Sequence, residues 1–202
     1  MKKLFVLVLV LAMIPLAGLN GQKIKMKSGS LDFLKGQTSL LVKYDYSNMA
    51  VGKFTDEKEY IAKKTAEYNG KEAGRGDKWA ESWVSDRSAR FEPKFEELFN
   101  DYCSKKGLTC SQTATNAEYE MVVHTFFTEP GYNIGISRAN AYIDAEISFR
   151  KIADGEEMAV MSFDNVPGML AMGYDFDTGQ RISEAYAKLG KSLAGLVLKI
   201  LK

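Results

Sequence analysis

His124 is the only histidine of this 202-residue chain, and histidine is the side chain best suited to proton transfer near neutral pH. In residues 119–127 it alternates onto one face with Glu120, Val122 and Phe126, so Glu120, two positions away, is placed to orient the imidazole. A hydrolase centred on His124 would start from such a pair, and so would an imidazole that merely lies on the surface of a sheet. Asp177-Thr178-Gly179 matches the aspartic-protease triplet, but that chemistry needs two carboxylates sharing one proton and the chain has a single triplet. With Gln180 three residues on, Asp177 reads instead as a helix N-cap. One histidine and two cysteines, Cys103 and Cys110, not spaced C-x-x-C, make no metal-ligand set, and nothing in the chain calls for a cofactor. No nucleophile elbow, phosphate loop, dinucleotide fingerprint or H-E-x-x-H helix occurs.

Binding residues are easier to nominate. Trp79 and Trp83 stand at i, i+4 of a helical pattern, and Arg87, Arg90 and Phe91 continue it. Tryptophan, tyrosine and arginine dominate interface hot spots, so Trp79, Trp83 and Arg87 form either a contact surface or part of the core. The stretch 129–138, Glu-Pro-Gly-Tyr-Asn-Ile-Gly-Ile-Ser-Arg, is too long for a tight hairpin and offers Tyr132, Asn133 and Arg138 as candidate binding residues. Long connections in compact domains often carry function. Arg75-Gly76-Asp77, an adhesion-type tripeptide, falls in residues 69–78, where three glycines and no large apolar side chain predict a mobile loop.

The elements that must position these residues follow from periodicity. Residues 39–46 read as a first strand, and Thr55 as the N-cap of a helix running to about Tyr68. Helical pattern resumes at Trp79 and carries an apolar stripe of Phe91, Phe95, Leu98, Phe99 and Tyr102, with Pro93 near a helix start. Two segments alternate with period two: Tyr119, Met121, Val123 and Phe127 share one face in the first, and Ala141, Ile143, Ala145, Ile147 and Phe149 in the second. Asp154-Gly155 then turns the chain into a strand over 157–163. From near Asp177 a last helix carries Ile182, Tyr186, Leu189, Leu193, Leu196 and Ile200 on one stripe. The expected fold class is α+β: an antiparallel sheet of about four strands, covered on one face by helices, with a long C-terminal helix.

The N-terminus gives an address. Lys2 and Lys3, an uncharged apolar run over 4–16 and the small residues Ala17, Gly18 and Gly21 form the pattern of a signal peptide over residues 1–21, leaving 22–202 as a single α+β domain. No cysteine lies at the cleavage region to carry a lipid anchor, so the expected location is periplasmic or extracellular. Losing Lys2 and Lys3 from 27 basic residues leaves 25 against 26 acidic ones, a balance that implies neither nucleic acid nor an anionic membrane as partner. In an oxidising compartment Cys103 and Cys110, across a turn at Gly107, are candidates for a disulfide contributing about 2.5 kcal/mol.

The Gly131–Arg138 stretch, Gly-Tyr-Asn-Ile-Gly-Ile-Ser-Arg, together with Arg181-Ile-Ser-Glu-Ala-Tyr-Ala-Lys-Leu-Gly-Lys, resembles a set of small exported proteins of unknown function from Bacteroidetes-type bacteria. More loosely, the element order looks like the TolB N-terminal domain. The resemblance implies an envelope setting and supplies no catalytic residue. The expected function is a non-enzymatic, envelope-associated binding or accessory module that contacts an envelope protein or other surface component. The alternative is a periplasmic small-molecule or lipid-binding domain with a pocket lined by Phe126, Tyr142 and Tyr186; the third reading is the hydrolase centred on His124.

Overall fold

The computed structural model describes residues 21–168 and 177–201; the segment read as a signal peptide lies, but for Gly21, outside them. The chain opens with strands β1 (Lys23–Gly29), β2 (Ser39–Asp45) and the short β3 (Ala50–Val51). Helices α1 (Glu57–Asn69), α2 (Arg75–Asp86) and α3 (Glu92–Cys103) follow, then the short β4 (Thr109–Ser111). The long β5 (Tyr119–Glu129) leads through a small hairpin, β6 (Tyr132–Asn133) and β7 (Arg138–Ala139), into β8 (Ala141–Lys151) and β9 (Glu157–Gly168). Helix α4 (Thr178–Ile200) ends the described chain. No helix among the described residues is long and apolar enough to cross a membrane.

The α+β class and the C-terminal helix hold, but the sheet is larger than expected and of mixed direction. Its seven strands run in the order β1-β9-β8-β5-β2-β4, with β3 beside β5. Antiparallel pairs join β5 to β8, β8 to β9 and β9 to β1, whereas β2 runs parallel to β5 and to β4. The parallel pair has a simple cause. A crossover must return the chain to the same end, and α1 to α3 supply one between β2 and β5. β1 escapes a sequence reading because Lys23, Lys25 and Lys27 alternate with Ile24 and Met26 directly after the apolar N-terminal run. At the sheet's edge those lysines discourage strand addition.

One face is buried and the other wet, as the period-two segments predict. Ala141, Ile143, Ala145, Ile147 and Phe149 of β8 are wholly buried, as are Met121 and Val123 of β5. A bulge between Thr125 and Phe127 breaks the alternation in β5. Phe127 therefore leaves the core face and packs on Tyr142, ring centroids 5.5 Å apart, while Thr125 and Thr128 take buried places.

Two local expectations are corrected. The N-cap of α1 is Asp56, not Thr55; its carboxylate accepts from the Lys58 amide at 2.8 Å. Residues 69–78 are not a mobile loop but a tight corner, since α2 already begins at Arg75. Gly76 is buried where a Cβ would stand 2.1 Å from the Thr65 carbonyl oxygen, and Asn69 accepts from its amide at 2.7 Å. The adhesion-type tripeptide thus lies in a packed helical turn.

The expected disulfide is absent: Cys103, the last residue of α3, and Cys110, on β4, are free buried thiols. Asn100 fixes this turn without a bridge, accepting from the Cys110 amide at 2.8 Å and donating to its carbonyl at 2.9 Å. Gly107 takes the left-handed C-cap position, φ 81°, and Leu108 is wholly buried. Burial pushes the Cys103 thiol up to about 11 and raises that of Cys110 further, so both are protonated and unreactive.

Helix α4 covers the sheet with Ile182, Tyr186, Leu189, Leu193 and Val197, all buried, and packs closely on α3. Gly190 sets that approach, because a Cβ there would lie 2.4 Å from the Phe95 carbonyl oxygen. Gly195, one turn on, faces open space. Alanine is worth about 1 kcal/mol more than glycine inside a helix. Gly195→Ala is therefore expected to stabilise by about 1 kcal/mol, while Gly190→Ala destabilises by about 1–3 kcal/mol as overpacking outweighs propensity. Urea denaturation of the two variants checks the opposite signs.

Candidate functional site

Pro93 lies near the start of α3 and, lacking an N–H, cannot continue the hydrogen-bond ladder from α2. The chain answers with a π-turn over Arg87–Phe91, a feature frequent at functional sites. The widened turn lets α2 aim Trp79 and Trp83 at α1 while α3 sends Phe95 and Phe99 into the core.

At the turn, Arg87 Nη2 reaches both carboxylate oxygens of Glu57, at 2.5 and 2.6 Å, and its guanidinium lies 4.3 Å from the Tyr46 ring centre. Trp83 is 7% exposed, and its indole N–H donates to the same Glu57 at 2.6 Å. Tyr46 donates in turn to Glu92 Oε1 at 3.3 Å, and Tyr44 to the Glu92 carbonyl at 3.1 Å. Tyr186 and Thr125 share a hydrogen bond of 2.7 Å at the bottom of the network. Burial drives the phenols of Tyr44, Tyr46 and Tyr186 far above their ordinary range and raises the Glu92 carboxyl, with Glu96 adding to the rise. The tyrosines therefore stay neutral donors around the charged Arg87–Glu57 pair.

His124 has other company than its sequence suggests. Glu120 pairs with Lys43 at 2.5 Å instead of orienting the ring. Across the parallel pair His124 faces Asp45, and its Nε2 lies 3.0 Å from the Ser47 carbonyl oxygen. The Ser47 hydroxyl goes to Asp45 at 2.9 Å. Serine, aspartate and histidine are gathered here, yet the acid takes the hydroxyl and the imidazole meets a carbonyl, which is not the wiring of a Ser-His-Asp relay. Nor do Phe126, Tyr142 and Tyr186 line one pocket. Tyr186 is buried on the inner face of α4, stacked on Phe91 at 5.2 Å, while Phe126 approaches His124 and Tyr142 meets Phe127, both away from the core.

Trp79, Trp83 and Arg87 split between the two readings of their helix. Trp83 and Arg87 belong to the buried network. Trp79 is half-buried, stacked on Trp83 at 5.7 Å and edge-on to Tyr68 at 5.7 Å. These rings border an open cleft of about 290 Å³ that Asp86, Arg90 and Asp177 also line. Arg90 bridges the two carboxylates, Nε to Asp86 at 3.0 Å and Nη1 to Asp177 at 2.9 Å. Asp177 also caps α4, accepting from the Gln180 amide at 2.9 Å. Gln180 itself donates to Glu184, so the cap is one-sided. Gly179 admits Asp86, since a Cβ there would stand 1.9 Å from its Oδ2. Burial raises the Asp86 carboxyl, against the pull of Arg90; burial would raise Asp177 too, but the Gln180 amide and Arg90 hold it below its ordinary range.

The third candidate group sits on a projecting arm. Residues 129–138, expected as a long loop, hold the β6–β7 hairpin, in which Tyr132 pairs with Ala139 and Asn133 with Arg138. The tip is closed by the Ile134 amide on the Ser137 carbonyl at 3.0 Å, and the Asn133 side chain accepts from the Gly135 amide. Tyr132 donates to or accepts from Ser137 at 3.1 Å and is 46% exposed; Arg138 is exposed too. The largest apolar exposures are on residues not singled out by sequence, Ile134 at 65% and Ile136 at 97%. Their only signal was the apolar alternation around Gly135. In the aromatic corner of α1 and α2, Tyr60 contacts both tryptophans, at 5.7 Å for Trp79 and 5.0 Å for Trp83.

No family model matches the chain, and no curated protein matches it. Among solved structures, the chain is similar to the PelC dodecamer from Paraburkholderia phytofirmans, with a TM-score of 0.42 and 11% identity over 90% of this chain and 97% of that one. A singly substituted form of the same dodecamer gives 0.39 at 11% identity and the same coverage.

The Glu57–Arg87 pair is the tested centre of the network. Both side chains keep 16–20% exposure, so loss of one partner is expected to cost about 2 kcal/mol, less than for a fully dry pair. Glu57→Ala should show that loss in urea denaturation, and Glu57→Leu combined with Arg87→Met should cost less than the single change, because no charge is left without its partner.

Proposed function

We propose that this chain is an exported, non-enzymatic binding module of the cell envelope, and that it makes contact through the β6–β7 arm. The observation that carries the reading is the pair Ile134 and Ile136, 65% and 97% exposed at the tip of a hairpin that stands clear of the core. Isolated apolar side chains at a surface need no explanation; two isoleucines and a tyrosine on one ordered projection mark an interaction site. The Lys2-Lys3 start and the apolar run after it support export. The wiring of His124 into a backbone carbonyl gives a hydrolase no support.

A lipid-binding role is favoured by one feature, although not by the aromatic pocket expected for it. β1 and the end of α4 flank a groove of about 390 Å³ lined by Ile24, Met26, Leu31, Met161, Leu196 and Ile200. Such an apolar slot suits an acyl chain.

A photo-crosslinker placed at position 136, in protein expressed with its N-terminal segment in the native host, is expected to give a discrete adduct in the envelope fraction. The adduct should vanish when Ile134→Asp is added, and a crosslinker at Lys58 should give none. Identical adducts from positions 136 and 58 would remove the arm from the reading. Adducts only with lipid, at a crosslinker on Met26, would favour the groove.

A further inference from the structure

The cleft beside Trp79 combines ring faces with paired charges in a way that packing alone does not require. One wall is aromatic: Tyr68, Trp79 and Trp83, each within 5.7 Å of the next. The Asp86–Arg90–Asp177 bridge also lines the cleft and brings both donors and acceptors to it. Trp83 spends its indole N–H on Glu57, but among the described residues the indole N–H of Trp79 meets no acceptor. The cleft thus presents the ring surfaces of Tyr68, Trp79 and Trp83, set at angles to one another, a free donor on Trp79 and the hydrogen-bonding groups of Asp86, Arg90 and Asp177.

Charge narrows the ligand. Two carboxylates around one guanidinium disfavour an anion. A cation is disfavoured as well, because Arg90 already occupies both carboxylates and Lys64, Lys71 and Arg75 lie 5.4–5.7 Å from the centre of the Tyr68 ring. A neutral ligand with one apolar face and a rim of hydroxyls meets every condition. A pyranose ring has that form: its axial C–H groups rest on aromatic faces, and vicinal hydroxyls both accept from a guanidinium and donate to a carboxylate. A volume of about 290 Å³ leaves room for such a ring. We propose that this cleft is a carbohydrate subsite, with Trp79 as its stacking platform and Asp86, Arg90 and Asp177 as its hydroxyl-reading wall. The site is separate from the arm and does not depend on what the arm contacts.

The chain has two tryptophans, and both border the cleft, so tryptophan fluorescence excited at the red edge, where tyrosine does not absorb, reports on its surroundings. Titration with a panel of neutral mono- and disaccharides of glucose, galactose and N-acetylglucosamine is expected to give a saturable change with at least one member. Trp79→Ala should abolish it. Because Trp79 also supports its neighbours, the deciding variant is Ser82→Arg, a change at an exposed helical position on the cleft. It should fill the cleft, leave thermal unfolding unchanged and weaken binding by about tenfold or more. No saturable response to any saccharide would overturn the proposal. So would wild-type affinity in Ser82→Arg, or saturation by tetramethylammonium chloride or sodium phosphate in place of the sugars.

Discussion

A guanidinium taken out of water must be met by acceptors, and Arg181, in the first turn of α4, is only 2% exposed. Its Nε donates to the Pro130 carbonyl at 3.2 Å, and Nη2 to the Gly131 carbonyl at 3.4 Å and the Thr178 hydroxyl at 3.0 Å. The base of the arm is thereby fixed to the start of the longest helix. Gly131 allows the close fit, with φ 60° and no room for a Cβ, which would stand 2.4 Å from the Ala139 carbonyl oxygen. The end of β9 is pressed onto the same turn, since a Cβ on Gly168 would meet the Arg181 carbonyl oxygen at 2.1 Å. One buried cation therefore ties the β5–β8 connection to the helix that covers the sheet.

The same end of the molecule carries the aromatic cleft and the ionic network. Asp177, just ahead of α4, reaches Arg90 within the π-turn, so the cap of one helix also lines the aromatic cleft. The π-turn brings Arg87 to Glu57 at the start of α1, and α1 holds Tyr60 against Trp83. Arm, cleft and ionic network are thus supported by the first turns of two helices and one widened turn. This gathers chemistry into one region while the rest of the open sheet face carries scattered ion pairs such as Lys27–Glu146 and Lys43–Glu120. Such exposed pairs contribute little to stability.

What the sequence made legible follows the physics of each segment. β8 alternates without interruption and its two faces were readable residue by residue; β5 was readable only to the bulge, which no pattern announces. β4 is three residues long, too short for any period, and the parallel pairing of β2 depends on a crossover that periodicity does not encode. Asp177 as an N-cap was visible because capping is local. The corner at 69–78 was misread because glycine serves close packing as well as mobility, and Gly76 is there for the first reason. Of the candidate site, Trp79, Trp83, Arg87 and Tyr132 were visible by type. Glu57, Asp86 and Arg181 were not, since their roles arise from contacts between segments 26 to 93 residues apart.

The central claim is that the arm is an ordered projection held by Arg181, not a loose connection. Amide hydrogen exchange on Arg181→Met, which keeps the bulk of the side chain and removes its charge, tests it most directly. The account predicts that residues 132–139 exchange about tenfold faster or more in the variant, while the centres of β8 and β9 keep their protection. Unchanged protection across the arm, with Arg181→Met otherwise folded, would contradict it.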